Sequence, residues 1–373
     1  MFINNWYAAC VAADLGTKPT QVRMLGCDFV LFRDSQGKAH CLSDVCCHRG
    51  ASLSIGSCSR DRLVCPQHGW EFDASGACVL IPQGARDGAH PPRRARVPAY
   101  PVSERFGLVF AFLGDLAPEE RPEIPDILPE HATGEWYCDV IRRRKDVNYM
   151  RMSENYNDPC HVHYVHEFGK WLPKGVTIET RELTPTYVKA FHASWDAQGR
   201  WTSDIGLLME YSVIGLMSRN TNQQPGYPPN IVLATVTPID STSTQIFMQL
   251  LMPKASATQE QHRALMAMTE NQVMDEDYAV LRTTRPVLAA EPTEELLVET
   301  DLTLAQVRKM TQEYGTRAGM IDVAALDQVR PSHVRVVPCP GHRSDPRNWV
   351  HKTVPLCAPP QQDAGVLSGA AIA

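Results

Sequence analysis

Two short segments, each offering one cysteine and one histidine, constrain this 373-residue chain more than any other feature. The first carries Cys46 and His48, and the second, after a 16-residue spacer, carries Cys65 and His68. Two thiolates and two imidazoles can form a tetrahedral zinc site. They can also hold a [2Fe–2S] centre, with both cysteines on one iron and both histidines on the other. Zinc fingers group two cysteines and then two histidines. Here each segment offers one of each, which favours the iron–sulfur centre.

The hydrophobic pattern divides the chain into two domains and a tail. Short β-type runs separated by turn signals predict an all-β domain over residues 1–117. After a proline-rich stretch, β-type runs within 176–253 and a helix over 258–281 predict an α+β domain over residues 118–355. Residues 356–373 are poor in aromatic side chains, and we expect a disordered tail there.

Composition and charge exclude several classes of protein. The formal net charge of -6 argues against a nucleic-acid-binding protein, which needs a basic surface to neutralise phosphates. No apolar run approaches the ~18 residues of a membrane span, and the N-terminus lacks the pattern of a signal peptide. We therefore expect a cytoplasmic protein with no membrane segment. Eight of the 12 cysteines fall between Cys10 and Cys78, which in such a chain indicates metal binding rather than disulfides.

A second group of ligand-type residues lies near the start of the second domain. Asn155, Asp158 and His161 recur every three residues and would form one stripe on a helix. His166 lies about 140° further round an ideal helix, so it can converge with His161 only if the helix is distorted or ends there. Pro159 makes such a break expected. Two histidines and one carboxylate, with coordination positions left open, form the facial triad of non-haem Fe(II) oxygenases.

The missing carboxylate has candidates at positions 275 to 277 of the predicted late helix. On a helical wheel Asp277 falls within about 60° of an apolar stripe, formed by Met266, Val273 and Val280. A carboxylate within such a stripe is costly unless it is paired or binds a metal. Asp277 is therefore the acid expected to point inward. The alternative is that all three acids lie on a solvated helix face.

These motifs together resemble the Rieske non-haem iron oxygenases, in particular the vanillate O-demethylase type. Residues 44–50 and 65–70 resemble the Rieske cluster motif, although Cys47 replaces the usual proline and Gln67 the usual tyrosine. The D-x-x-H-x-x-x-x-H pattern from Asp158 to His166 resembles the family's mononuclear iron motif. Glu276 and Asp277 match its late Glu–Asp pair, and the resemblance spans roughly residues 4–285.

The resemblance implies a fold and a role for each candidate residue. It implies an N-terminal all-β Rieske domain followed by an α+β helix-grip (START-like) catalytic domain. Asp158 would accept a hydrogen bond from His68 of a neighbouring subunit and so bridge electron transfer, and Asn155 would line the iron site. The cluster ligands would be Cys46, His48, Cys65 and His68, and the ligands of the mononuclear iron His161, His166 and Asp277.

The function implied is that of a terminal oxygenase component, which uses O₂ to hydroxylate or demethylate a small aromatic substrate. Its electrons would come from NAD(P)H through a flavin and iron–sulfur reductase, directly or by way of a ferredoxin, since the chain contains no Gly-x-Gly-x-x-Gly motif. A head-to-tail homotrimer would place each cluster beside the next subunit's iron. The alternatives are a ring cis-dihydroxylating dioxygenase, a Rieske electron carrier and a zinc-stabilised binding module.

Overall fold

The computed structural model describes residues 1–83, 90–171, 176–195, 201–223, 229–288, 294–329 and 332–358. Its first part consists of β-strands, as the turn signals predicted. The strands form three antiparallel sheets, in the orders β1-β11-β10, β2-β3-β4-β9 and β5-β6-β7-β8. The strands are β1 (Asn5–Val11), β2 (Thr20–Met24), β3 (Cys27–Arg33), β4 (Ala39–Ser43), β5 (Ser57–Ser59), β6 (Arg62–Val64), β7 (Glu71–Phe72), β8 (Cys78–Leu80), β9 (Ala99–Tyr100), β10 (Val102–Arg105) and β11 (Leu108–Leu113).

Strand β3 separates two hydrophobic cores, because successive side chains of a strand point to opposite faces. Phe29 and Leu31 pack into the larger core, which continues into the second domain. Val30 and Phe32 pack into a smaller core. That smaller core also contains the predicted ligand Cys46, together with Cys65. One face of the sheet that contains β3 therefore packs against the predicted cluster loops, and the other face packs against the core shared with the second domain.

The second domain is a seven-stranded antiparallel sheet with helices packed on it, which confirms the predicted α+β class. The sheet order is β12-β18-β17-β16-β15-β14-β13. Its strands are β12 (Trp136–Lys145), β13 (Val176–Leu183), β14 (Tyr187–Trp195), β15 (Trp201–Ser212), β16 (Met217–Gln223), β17 (Asn230–Pro238) and β18 (Thr244–Pro253). The helices are α1 (Tyr149–Tyr156), α2 (Val162–Val165), α3 (Gln259–Met268), α4 (Met274–Leu281), α5 (Leu302–Ala318), α6 (Val323–Val329) and α7 (Pro340–Ser344). Among these described helices none is long and apolar enough to cross a bilayer.

The C-terminal part of the chain returns to the first domain. Two short parallel strands, β19 (Arg335–Val336) and β20 (Lys352–Thr353), pair with each other. Tyr100 of β9 donates its hydroxyl hydrogen to the carbonyl of Val337 at 2.7 Å. The expected tail begins with ordered residues, because Leu356 pairs with Ile321 in a β-bridge. Residues 359–373, the rest of that tail, lie outside the described residues.

Two hairpin turns of the first domain have the same construction. In each, an aspartate (Asp34 or Asp73) accepts backbone hydrogen bonds from the turn that it opens, and a glycine three residues later has a positive φ. The glycines differ in their surroundings. A Cβ atom at Gly37 would meet nothing within 4 Å, whereas one at Gly76 would overlap the carbonyl oxygen of Val97.

These turns give a matched pair of variants. Gly37→Ala should destabilise the protein by about 1 kcal/mol, the cost of holding alanine at positive φ. Gly76→Ala should cost about 2–4 kcal/mol, because the overlap with Val97 adds to that strain. Urea unfolding of both variants measures the difference. Equal losses would show that the close approach of Val97 does not constrain the hairpin.

Candidate metal centres

The two Cys–His loops fold in the same way. In each, the N–H of a glycine four residues after the cysteine donates to the cysteine carbonyl at 3.0 Å, Gly50 to Cys46 and Gly69 to Cys65. Both glycines have a positive φ, a conformation that costs glycine little. The buried carboxylate of Asp44 stabilises the first loop by accepting hydrogen bonds from the backbone and hydroxyl of Ser54. The sequence therefore folds these loops into a symmetric pair.

The paired loops bring like ligands together. The side chains of Cys46 and Cys65 pack in the same small core and interact with each other, and the rings of His48 and His68 have centroids 4.6 Å apart. The Nδ1 atom of His68 is buried and has no hydrogen-bond partner in the described part of the chain. Trp70 stacks on His48 at 4.5 Å and fixes its ring. One cysteine pair and one histidine pair fit a [2Fe–2S] centre with two ligands of one kind on each iron.

Cys47, which replaces the proline usual in the Rieske motif, affects the neighbouring candidate ligand Cys46. A hydrogen bond from the Cys47 thiol, with smaller contributions from backbone N–H groups, lowers the pKa of Cys46 to about 6, against the opposing effect of burial. A thiolate is the form that ligates a metal. Cys47 therefore contacts the predicted ligand, although the spacing argument gave it no role.

The predicted break in the histidine-rich segment is present. Helix α1 ends at Tyr156, and the four-residue helix α2 follows after a non-helical connection that contains Pro159. His161 and His166 flank α2, one at each end. Their rings lie 5.3 Å apart at an interplanar angle of 74°. The break therefore provides the convergence that a regular helix would not allow.

Asp277 completes a group of three. Its Oδ1 atom lies 3.4 Å from Nε2 of His161 and 3.3 Å from Nε2 of His166. One ligand atom from each residue lies within 4.8 Å of the others. Asp277 is 5% exposed, and within the described residues its Oδ1 atom has no hydrogen-bond partner. An unpartnered carboxylate oxygen between two imidazole nitrogens fits a metal held by two histidines and one carboxylate.

The apolar stripe that pointed to Asp277 is wrong in detail. Residues Thr269–Val273 form a π-helical turn between α3 and α4, which shifts the register of the helix. Met274, three positions before Asp277, is buried like Asp277 itself, whereas Val280, three positions after it, is 48% exposed. The inward position of Asp277 is thus produced by a different set of neighbours.

A carboxylate lies beside the Nδ1 atom of each histidine. The Nδ1 atom of His166 lies 2.9 Å from Oε2 of Glu276, and the other carboxylate oxygen of Glu276, Oε1, accepts a hydrogen bond from Gln272. The Nδ1 atom of His161 lies 3.5 Å from Oδ2 of Asp158. Both arrangements leave Nε2 of each histidine directed at Asp277. Burial lowers the pKa of His161, but Asp158 and Asp277 outweigh it and raise that pKa to about 9.

Glu276 was expected only as part of the late Glu–Asp pair, with no role of its own at the iron site. Its partner His166 is 110 positions away, and no local pattern could connect them. Asn155 lies in α1 as expected, with its Nδ2 atom buried and without a hydrogen-bond partner among the described residues. His163 is buried but lies outside the group of three.

A ring of buried ion pairs fixes the helices behind this site. Arg308 of α5 pairs with Glu154 of α1 at 2.7 Å and with Glu295 at 2.8 Å. Arg151 of α1 pairs with Glu295 at 2.6 Å and donates to the carbonyl of Pro286, beyond the end of α4. The ring therefore connects the helix before His161 with the segment that follows Asp277.

Comparison with known proteins identifies both domains. Residues 5–101 match the Rieske [2Fe-2S] domain family, and residues 145–317 match the vanillate O-demethylase oxygenase C-terminal domain family. The first of these ranges includes all four candidate cluster residues, and the second includes His161, His166 and Asp277.

Curated relatives and solved structures agree with this assignment. The phenoxybenzoate dioxygenase alpha subunit of Ectopseudomonas oleovorans is 37% identical over 43% of this chain and 42% of its own length. The dicamba O-demethylase oxygenase component of Stenotrophomonas maltophilia is 36% identical over 44% and 47%. The chain thus matches about half the length of these relatives. The structure of dicamba monooxygenase bound to dicamba superposes with a TM-score of 0.68 at 21% identity, over 84% of this chain and 97% of that one. This last likeness concerns the fold alone.

The contact between Glu276 and His166 predicts a loss of metal affinity on mutation. Glu276→Ala should weaken Fe(II) binding about 10- to 100-fold, because a ligand histidine without its partner loses its orientation. The control is Asp275→Ala. Asp275 is exposed and pairs with Lys145, so its loss should leave Fe(II) affinity unchanged. Titration of metal-depleted protein with Fe(II) measures both. Equal affinities in the two variants would contradict the positioning role of Glu276.

Proposed function

Because the chain joins a Rieske domain to a vanillate O-demethylase-type oxygenase domain, it belongs to the Rieske non-haem iron oxygenases, and we propose that it is the terminal oxygenase component of such a system. The reaction is monooxygenation, either hydroxylation or demethylation, of a small aromatic substrate. One observation carries this proposal: His161, His166 and Asp277 converge in a chain whose first domain also brings the two Cys–His loops together. An electron carrier would not need this second centre.

Each group of residues has a part in the proposed reaction. Cys46, His48, Cys65 and His68 hold the Rieske cluster, and His161, His166 and Asp277 hold one Fe(II). The iron, when bound, supplies a site at which O₂ is reduced with electrons from the cluster. Glu276 keeps the Nε2 atom of His166 directed at the metal, and Asp158 lies beside His161. Asn155 would line the site.

The cluster is recharged from NAD(P)H by a partner reductase, since each turnover uses two electrons from outside the chain. We further propose a head-to-tail homotrimer in the cytoplasm. Twelve free cysteines suit a reducing compartment. In such a trimer Asp158, whose side chain is 25% exposed, accepts a hydrogen bond from His68 of the next subunit. The names of the relatives include O-demethylases, monooxygenases and one dioxygenase, so ring cis-dihydroxylation is the second candidate.

Isotope labelling tests the reaction type. A surrogate reductase, NADH and ¹⁸O₂ are supplied with a panel of methoxylated and unsubstituted aromatic acids. We expect one labelled oxygen in the hydroxylated product, or formaldehyde release from a methoxy group. Two labelled oxygens in a cis-diol would favour the dioxygenase. Asp277→Ala should abolish product formation, and product formed by that variant would contradict the proposal.

Mixed oligomers test the transfer between subunits. Asp158→Asn should keep both metal sites loaded but slow electron delivery, because a neutral amide is a weaker acceptor for the histidine N–H. His68→Ala removes the cluster. In a mixed trimer, an intact cluster of an Asp158→Asn chain can face an intact iron site of a His68→Ala chain. Co-expressed mixtures should therefore be more active than either homo-oligomer. No recovery would argue for transfer within one chain.

A further inference from the structure

A groove of about 640 Å³ lies where the C-terminal segment meets the first domain. Its walls combine apolar side chains with cations. The apolar part is formed by Ala325, Val329, Pro346, Trp349, Val350, Val354 and Pro355, and the cationic part by Arg94, Arg335 and Lys352. We call this surface the basic groove. Histidines 342 and 351 also line it, and its lining contains no carboxylate.

The surroundings of the basic groove are strongly positive in a negatively charged chain. Residues 332–352 contain four lysines and arginines and one carboxylate, Asp345, and residues 93–96 add three arginines; of these seven cations Arg343 pairs with Glu120. The whole chain has a formal net charge of -6. This separation of charge creates a local positive potential, which attracts anionic partners and accelerates their association.

The cations of the groove are not neutralised within the described part of the chain. A guanidinium nitrogen of Arg94 donates to the carbonyl of Trp349 at 3.1 Å, and one of Arg335 to the carbonyl of Val334 at 3.1 Å. No described carboxylate pairs with Arg94, Arg335 or Lys352. Elsewhere exposed arginines do find such partners, as Arg33 does with Glu104. The positive charge therefore remains available to a binding partner.

Trp349 gives the groove a fixed shape. His342 stacks on its ring with centroids 3.9 Å apart, and the guanidinium carbon of Arg96 lies 4.2 Å from the ring centroid. The indole N–H donates to the carbonyl of Asp345 at 2.7 Å. A surface held in place by stacking and hydrogen bonds loses little conformational entropy on binding.

The basic groove adjoins the cluster-binding core. Ala95, between Arg94 and Arg96, packs in the same hydrophobic cluster as Cys46 and Cys65. Its carbonyl accepts a hydrogen bond from the N–H of Cys78 at 2.8 Å. A protein bound in the groove would therefore lie beside a segment that belongs to the same hydrophobic core as Cys46 and Cys65.

We propose that the basic groove docks a small acidic [2Fe–2S] ferredoxin that donates electrons to the Rieske cluster. The inference rests on the proposed function and names the partner and its site. One electron leaves the reduced [2Fe–2S] centre of the ferredoxin and enters the oxidised Rieske centre. The ferredoxin is thereby oxidised by one electron and the Rieske centre reduced by one, and no covalent bond forms or breaks.

The test uses a plant-type [2Fe–2S] ferredoxin, reduced in advance, and follows bleaching of the Rieske absorbance in a stopped-flow instrument. The variant Arg94→Glu/Arg335→Glu/Lys352→Glu should lower the second-order rate constant about tenfold or more at low ionic strength. High salt should remove the difference, because it screens the attraction. Reduction by dithionite, a small reductant that needs no docking, should proceed at the wild-type rate.

A control of equal charge change separates docking from net charge. Arg144→Glu/Arg263→Glu/Lys309→Glu reverses three exposed cations outside the groove. It should leave the ferredoxin rate within about twofold of wild type. An equal loss in both triple variants, or no loss in the groove variant, would overturn the proposal. If the charge reversal disturbs folding, the milder variant Arg94→Gln/Arg335→Gln/Lys352→Gln replaces it. Its rate constant should lie between those of the wild type and the groove variant.

Binding of oxidised ferredoxin, measured by calorimetry, needs neither substrate nor turnover. Its affinity should fall in the groove variant and not in the control. A wild-type protein without a Rieske spectrum would contradict the proposed function, whereas a normal spectrum with equal ferredoxin affinities in all variants would contradict the docking site alone.

Discussion

The buried carboxylate of Asp277 is the constraint on which the catalytic half of this structure depends. An ionised carboxylate in an apolar interior costs several kcal/mol unless opposite charge compensates it. Two imidazoles supply that compensation, and they hold the pKa of Asp277 well below its ordinary value against the opposing effect of burial. A divalent cation bound by Asp277, His161 and His166 would complete the compensation of this negative charge. The backbone irregularities around the site are the means by which these side chains meet.

Each irregularity solves a geometric problem. The break before α2 lets His161 and His166 converge, and the π-turn before α4 aligns Asp277 with Met274 on the inward face. Strained or irregular helix segments of this kind are frequent at functional sites. The buried ion pairs of Arg308 and Arg151 then fix the distance between the two helical regions. The cluster site of the first domain needs no such irregularity, because its four candidate ligands lie on two short loops of the same conformation.

The sequence was sufficient wherever the determining contacts are local. The spacing of Cys46, His48, Cys65 and His68 predicted the pairing of the loops, and Pro159 predicted the break in the helix. The sequence was insufficient where partners are distant. No local pattern linked Glu276 to its partner His166, which lies 110 positions away, and an ideal wheel could not anticipate the π-turn that precedes Met274. The basic groove joins residues 93–96 with residues 332–352, a proximity that no sequence pattern indicated.

Metal and sulfide analysis of the purified protein and of its Asp277→Ala variant tests the central claim that one chain holds two separate iron centres. Wild-type protein should contain about two irons and two acid-labile sulfides in the cluster plus about one mononuclear iron. The variant should lose the mononuclear iron while keeping the sulfide and the visible spectrum of the cluster. Stoichiometric zinc without acid-labile sulfide, or equal iron in both proteins, would contradict this account.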